Sequence, residues 1–119
     1  MAGTPRLICA SADLADSGRG VRFEVEYQGE RVAAFAVRYR GAVHGYLNRC
    51  RHVPMELDWS EGHFFDSDGN DLVCSTHGAT YAAASGHCLS GPCNGQSLVQ
   101  LLLEESDSGV YHIGFANDR

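Results

Sequence analysis

Proline is scarce, three in 119 residues, and the longest apolar run is only Val32 to Val37. A membrane-crossing helix needs about 20 consecutive apolar residues, so no membrane association is expected. Positive charge is also in short supply. Nine Lys and Arg against fifteen Asp and Glu leave a formal charge of -6, which repels a phosphate backbone and argues against a nucleic-acid partner. The first eleven residues hold one Arg and a broken apolar stretch at Leu7 to Ala10, without the features of a secretory signal. A cytoplasmic location is expected. An apolar content of 44% with 9% aromatics suffices for a buried core, and one domain over residues 1–119 is the simplest organisation.

Helix signals are nearly absent, and what is present reads as strand. Val21, Phe23, Val25 and Tyr27 alternate with Arg22, Glu24 and Glu26, the period of a half-buried strand. The turn dipeptides Gln28-Gly29 and Arg40-Gly41 bracket Glu30 to Tyr39, a hairpin partner for that strand. Ala42 to Asn48, Ser97 to Glu104 and Gly109 to Phe115 complete the expected strands, the last two joined at Asp107-Ser108-Gly109. A meander is the simplest arrangement. Residues 49–96 differ, holding four of the five Cys, two of the three Pro and six Gly. Gly- and Pro-rich loops do not stabilise themselves by packing, so such a stretch in a small β domain carries a function or a staple.

Five cysteines without a secretory context point to metal or redox chemistry more than to a disulfide scaffold. Two short clusters hold the candidates. Cys50-Arg51-His52 and Cys74-Ser75-Thr76-His77-Gly78 are separated by 21 residues, and each carries one Cys and one His. Two thiolates and two imidazoles can hold a tetrahedral zinc, but zinc modules usually pair like with like on each knuckle. Mixed pairs suit a binuclear iron centre in which one iron takes both sulfurs and the other both nitrogens.

On these residues the chain resembles the Rieske [2Fe-2S] family, marked by Cys-x-His and a later Cys-x-x-His-Gly. Downstream, Tyr81, Gly86 and Ser90-Gly91-Pro92 are similar to that family's aromatic strand, turn and covering loop. The resemblance spans about residues 30 to 115 and implies an all-β, Rieske-type iron-sulfur fold. That is an antiparallel β-sandwich with an inserted, loop-rich cluster-binding lobe over about residues 46–96. It implies one 2Fe-2S cluster per chain, with Cys50 and Cys74 on the inner iron and His52 and His77 on the outer. Gly78 and Gly91 would let backbone approach the cluster sulfurs, and Pro92 would limit water. The stretch between the two ligand pairs is longer than in common ferredoxin-type members. Phe64, Phe65 and the turn Ser67-Asp68-Gly69-Asn70 suggest an extra hairpin there.

Neutral imidazoles in place of thiolates leave such a centre less negative, so Rieske potentials lie at roughly -150 to +300 mV against about -400 mV for plant-type ferredoxins. High-potential members add a disulfide between the ligand loops, a Ser after His-Gly, and a Tyr beyond it. Met55, Thr76 and Ala79 occupy the first three of those positions here, and only the aromatic hydroxyl is kept, as Tyr81. A ferredoxin-type centre of low to intermediate potential follows from the resemblance.

Cys88 and Cys93 could form a disulfide, bind something or sit as small apolar thiols; buried thiols are expected because the inferred compartment is reducing, and Cys9 is expected as a core residue. His44, His63, His87 and His112 lack a partner at ligand spacing and are taken as structural. Glu56, Asp58, Glu61, Asp66, Asp68 and Asp71 form either a solvated face or a docking surface for a basic redox partner. No catalytic Ser-His-carboxylate set, no phosphate-binding Gly loop and no mononuclear iron site of two His plus one carboxylate stands out. The resemblance therefore implies a non-catalytic one-electron carrier between a reductase and an oxygenase or other acceptor. Two alternatives are a non-catalytic Rieske subunit of a larger reductase and a metal-stapled binding or regulatory module.

Overall fold

The computed structural model describes residues 6–48, 62–66, 69–74, 79–91, 97–106 and 108–115. Nine strands occur among them: β1 Arg6–Ala10, β2 Val21–Tyr27, β3 Glu30–Tyr39, β4 Ala42–Leu47, β5 Asp71–Val73, β6 Thr80–Ala82, β7 Cys88–Ser90, β8 Gln100–Ser106 and β9 Gly109–Phe115. A single 3-10 turn, Ser11–Asp13, is the helical content of the described residues. The strands form a six-stranded sheet, β1-β9-β8-β4-β3-β2, and a three-stranded sheet, β5-β6-β7. Every ladder is antiparallel, so the expected all-β, two-sheet architecture is the observed one.

The meander holds for β2-β3-β4 and then breaks, because β4 pairs next with β8 and β9 lies between β8 and β1. Both hairpins of the meander turn on two residues with positive φ, Gln28 (52°) with Gly29 (81°) and Arg40 (51°) with Gly41 (83°). That is the type I′ geometry whose twist matches the flanking strands. The expected hairpin between the ligand pairs is present as well. Phe65 bridges Leu72, Val73 N–H donates to the Phe64 carbonyl at 2.9 Å, and Asp66 N–H donates to the Asp71 carbonyl at 2.9 Å.

Strand β3 explains how the two sheets share a core. Its run Val32 to Val37 is apolar at both parities, and successive side chains leave opposite faces. Val32 and Ala34 enter a cluster with Val25, Leu47 and Leu101, flanked by Phe23, Tyr27, Leu103 and Phe115. Phe35 and Val37 point the other way, into a cluster with Tyr46, Phe64, Leu72, Cys74, Ala79, Tyr81 and Leu98. Phe35 stacks on Phe64 at 3.9 Å between centroids. The large sheet therefore curls around one core and packs the small sheet through the other. Its edges approach each other, since the Arg6 guanidinium of β1 donates to the Glu24 carbonyl of β2 at 2.5 Å.

The segment expected as a strand from Ser97 becomes strand only at Gln100. Ser97 bridges His87 instead, and Leu98 N–H donates to the Gly86 carbonyl at 2.8 Å. Residues 97–99 thus serve the small lobe before the chain joins the large sheet.

Candidate metal centre

Cys74 follows β5 directly and is fully buried. Its N–H donates to the Ala79 carbonyl at 2.8 Å, which extends the β5–β6 ladder by one bond beyond the Val73–Thr80 pair. The Cys74 sulfur is in no disulfide. Tyr81 sits at the middle of β6, opposite Leu72 of β5 and Cys88 of β7, and is also fully buried. The three residues make one inward row of the small sheet.

Gly91 follows β7 with φ +96°, a conformation side chains rarely adopt. A Cβ there would lie 2.8 Å from the Ala79 Cα. The backbone at Gly91 therefore passes against Ala79 at a distance only glycine allows. Ala79 itself is fully buried and acts as the seat for both. Sequence reasoning singled it out only as a position where other family members carry Ser.

Cys50, His52, His77, Gly78 and Pro92 lie outside the described residues. Among the described residues no group of three or more His, Cys, Asp or Glu is placed to hold a metal ion, as three of the four expected ligands are not among them. His63 and His87 are exposed, and the His87 Nδ1 lies 3.4 Å from the Ser97 Oγ. His44 and His112 are half-buried on β4 and β9, and burial, the leading cause for each, lowers both imidazole pKa values. Cys9 borders a small cluster of Leu14, Ala36 and Val110, as expected of a core residue.

Cys88 corrects one expectation. It is buried, but it is disulfide-bonded and not a thiol; Cys93 lies outside the described residues. The inference from compartment concerned which sulfurs stay reduced in a cell, whereas pairing depends on which sulfurs the fold brings within bonding geometry.

Two contacts that the sequence did not signal fix the lobe. The Tyr46 hydroxyl of β4 donates to the Ala83 carbonyl at 2.7 Å, and burial pushes this phenol's pKa well up. On the outer face of the small sheet, Thr80 Oγ1 and Ser90 Oγ are 2.6 Å apart.

These features suit a metal-sulfur centre. A buried cysteine outside any disulfide stands at the mouth of a short loop, under backbone too close for a side chain. With Cys50, His52 and His77, the ligands expected from the sequence, the donor set would be two thiols and two imidazoles, the set of a binuclear iron-sulfur centre with mixed ligation.

The comparisons agree with this chemistry. The family model for the Rieske [2Fe-2S] domain matches residues 4–105. No curated protein matches the sequence. Among solved structures, the ferredoxin of carbazole 1,9a-dioxygenase from Nocardioides aromaticivorans IC177 aligns with a TM-score of 0.73 at 19% identity, covering 92% of this chain and 97% of that one. The Sphingomonas yanoikuyae B1 ferredoxin aligns with a TM-score of 0.70 at 24% identity, covering 93% and 98%. In a complex of oxygenase and ferredoxin in carbazole 1,9a-dioxygenase, 97% of this chain aligns onto 29% of a longer one, with a TM-score of 0.67 at 18% identity. At such identities the likeness is one of fold, and it is the family model, matching most of the sequence, that assigns the chain to the Rieske [2Fe-2S] domain family.

Proposed function

We propose that the chain is a one-electron carrier, the ferredoxin component of an oxygenase or similar redox system, and that it catalyses nothing without partner proteins. The observation that carries this is the reciprocal coverage: the fold matches 97% and 98% of two stand-alone ferredoxins and a minor part of a longer chain. In this reading residues 1–119 act as one domain, with the lobe at about 46–96 holding one 2Fe-2S cluster.

Cys50 and Cys74 would hold the inner iron, and His52 and His77 the outer. Gly78 and Gly91 would let backbone amides approach the sulfurs, Pro92 would limit water, and Tyr81 stands on β6. The buried Cys74 and the tight Gly91–Ala79 contact support this arrangement, because a cluster in a water-poor, rigid cradle changes charge with little reorganisation. When bound, the cluster supplies reversible one-electron chemistry at a potential set by its imidazole ligands. The partners are a reductase and an oxygenase or other acceptor. No helix among the described residues is long and apolar enough to cross a membrane, and a cytoplasmic location belongs to this reading.

The test is visible absorption, paramagnetic resonance after dithionite reduction, and iron and sulfide counts on anaerobically purified protein. Turnover with a reductase and a ring-hydroxylating oxygenase component follows. A reducible iron-sulfur signal that the oxygenase component re-oxidises is expected; colourless, zinc-only protein, or a reduced centre no oxygenase component re-oxidises, overturns the proposal.

A further inference from the structure

Two tyrosines, one from each sheet, are fully buried in the core that the sheets share: Tyr46 of β4 and Tyr81 of β6. Tyr81 stands two residues after Ala79, whose carbonyl accepts the Cys74 N–H. Tyr46 belongs to the large sheet, yet its hydroxyl crosses to the small lobe and donates to the Ala83 carbonyl at 2.7 Å. Ala83 lies two residues beyond Tyr81 and enters the same core.

The segment that receives this bond is the turn joining β6 to β7. Ala82 N–H donates to the His87 carbonyl at 2.8 Å, and Gly86 N–H to the Ala82 carbonyl at 2.7 Å. A Cβ at Gly86 would lie 2.7 Å from Cε1 of the Tyr46 ring. The ring therefore touches the turn at Gly86 while the hydroxyl holds it at Ala83. Burial pushes the phenol's pKa well up, so the hydroxyl keeps its proton and remains a donor. Ala83 is 2% exposed, and a carbonyl so buried has little water to replace a lost donor.

We propose that Tyr46 is a positioning residue for the iron-sulfur centre: by holding the β6–β7 turn from the large sheet, it fixes where Tyr81 stands and so sets the potential that Tyr81 tunes. The inference rests on the cluster proposed above and on the tuning role given to Tyr81. The strands of the small sheet are three residues each, so few ladder bonds hold its register. A hydrogen bond toward a cluster weakens steeply with distance and angle, and a small drift of β6 is enough to alter it. An anchor from the larger sheet removes that freedom. Tyr46 acts through Tyr81 and needs no contact with the cluster itself.

A double-mutant cycle on the cluster-loaded protein tests it, with midpoint potential and paramagnetic resonance line positions measured for wild type, Tyr46→Phe, Tyr81→Phe and the double variant. Tyr46→Phe keeps the ring and removes the hydroxyl. It is expected to lower the potential in the direction of Tyr81→Phe, by a smaller amount. In the double variant it should add nothing, leaving the potential of Tyr81→Phe alone. Arg38→Met separates positioning from stability, because the partners of Arg38 are Leu14, Gly41, Ser11 and Glu105, all outside the small sheet. It is expected to lower resistance to urea while the potential and the resonance lines stay in place.

An unchanged potential in Tyr46→Phe overturns the proposal. So does a shift that adds in full to that of Tyr81→Phe, which would route the effect of Tyr46 elsewhere, and so does an equal shift in Arg38→Met, which would make the potential a reporter of stability alone. If the loaded centre passes no electrons to an oxygenase component, the carrier function fails while the cycle still decides the role of Tyr46. Wild-type protein that holds no reducible centre removes both.

Discussion

Ala79 shows how one small side chain serves packing and tuning together. It is fully buried, its carbonyl accepts the Cys74 N–H, and Gly91 lies against its Cα. A hydroxyl added here enters a buried site and must find an acceptor nearby. A hydrogen bond to a cluster sulfur stabilises the more negative, reduced state. Ala79→Ser is therefore expected to raise the midpoint potential and Tyr81→Phe to lower it, read by voltammetry on the loaded protein; unchanged potentials in both would remove these residues from the tuning set. The residue types of the site, two Cys-and-His pairs with their glycines, were legible from spacing alone. The role of Ala79 was not, because nothing in a sequence reports that two loops touch.

At the scale of elements, Arg38 of β3 does what no single strand can do for itself. Its Nε donates to the Leu14 carbonyl at 2.8 Å, and its two terminal nitrogens reach the Gly41 and Ser11 carbonyls at 3.2 and 3.3 Å. The same nitrogens grip Glu105 of β8 at 3.0 and 2.5 Å. One guanidinium thus ties the segment between β1 and β2 to the large sheet. Replacing Arg38 with Met would strand those acceptors and is expected to cost about 2 kcal/mol, measured by urea unfolding with Arg31→Met, at an exposed position of the same strand, as comparison; equal losses in both would show that the clamp contributes nothing particular. The strands from Val21 to Tyr39 and at Gly109 to Phe115 were readable because period-two alternation and Gly turns are local signals. The start of β8 was not, since Ser97 and Leu98 are held by His87 and Gly86, partners distant enough in sequence to leave no periodic trace.

For the whole molecule, stability should depend on pH in two steps. Burial holds His44 and His112 below the ordinary histidine value of 6.5, so they fold neutral while the unfolded chain takes up protons more readily. Their contribution is present above that pH and is lost as pH falls through it. The hydrogen bond from Arg38, the leading cause, holds Glu105 down to about 2 from 4.5, and its contribution is lost in turn as pH falls from 4.5 toward that value. Urea unfolding from about pH 8 to about pH 4 should show stability declining toward acid. The slope near 6.5 should flatten in a His44→Gln, His112→Gln double variant, and a slope indifferent to that change would contradict the assignment.

The amino-acid order alone determined the all-β class, the hairpin turns, the absence of a long apolar span and the pattern of two Cys-and-His pairs, because each is written in neighbouring residues or in a short fixed spacing. Tertiary structure decided the rest: which strand follows β4 in the sheet, how Val32 to Val37 divide between two cores, the disulfide at Cys88, and the pressing of Gly91 on Ala79. Those features depend on groups that meet only after the chain has closed on itself, where steric fit and burial outweigh local preference.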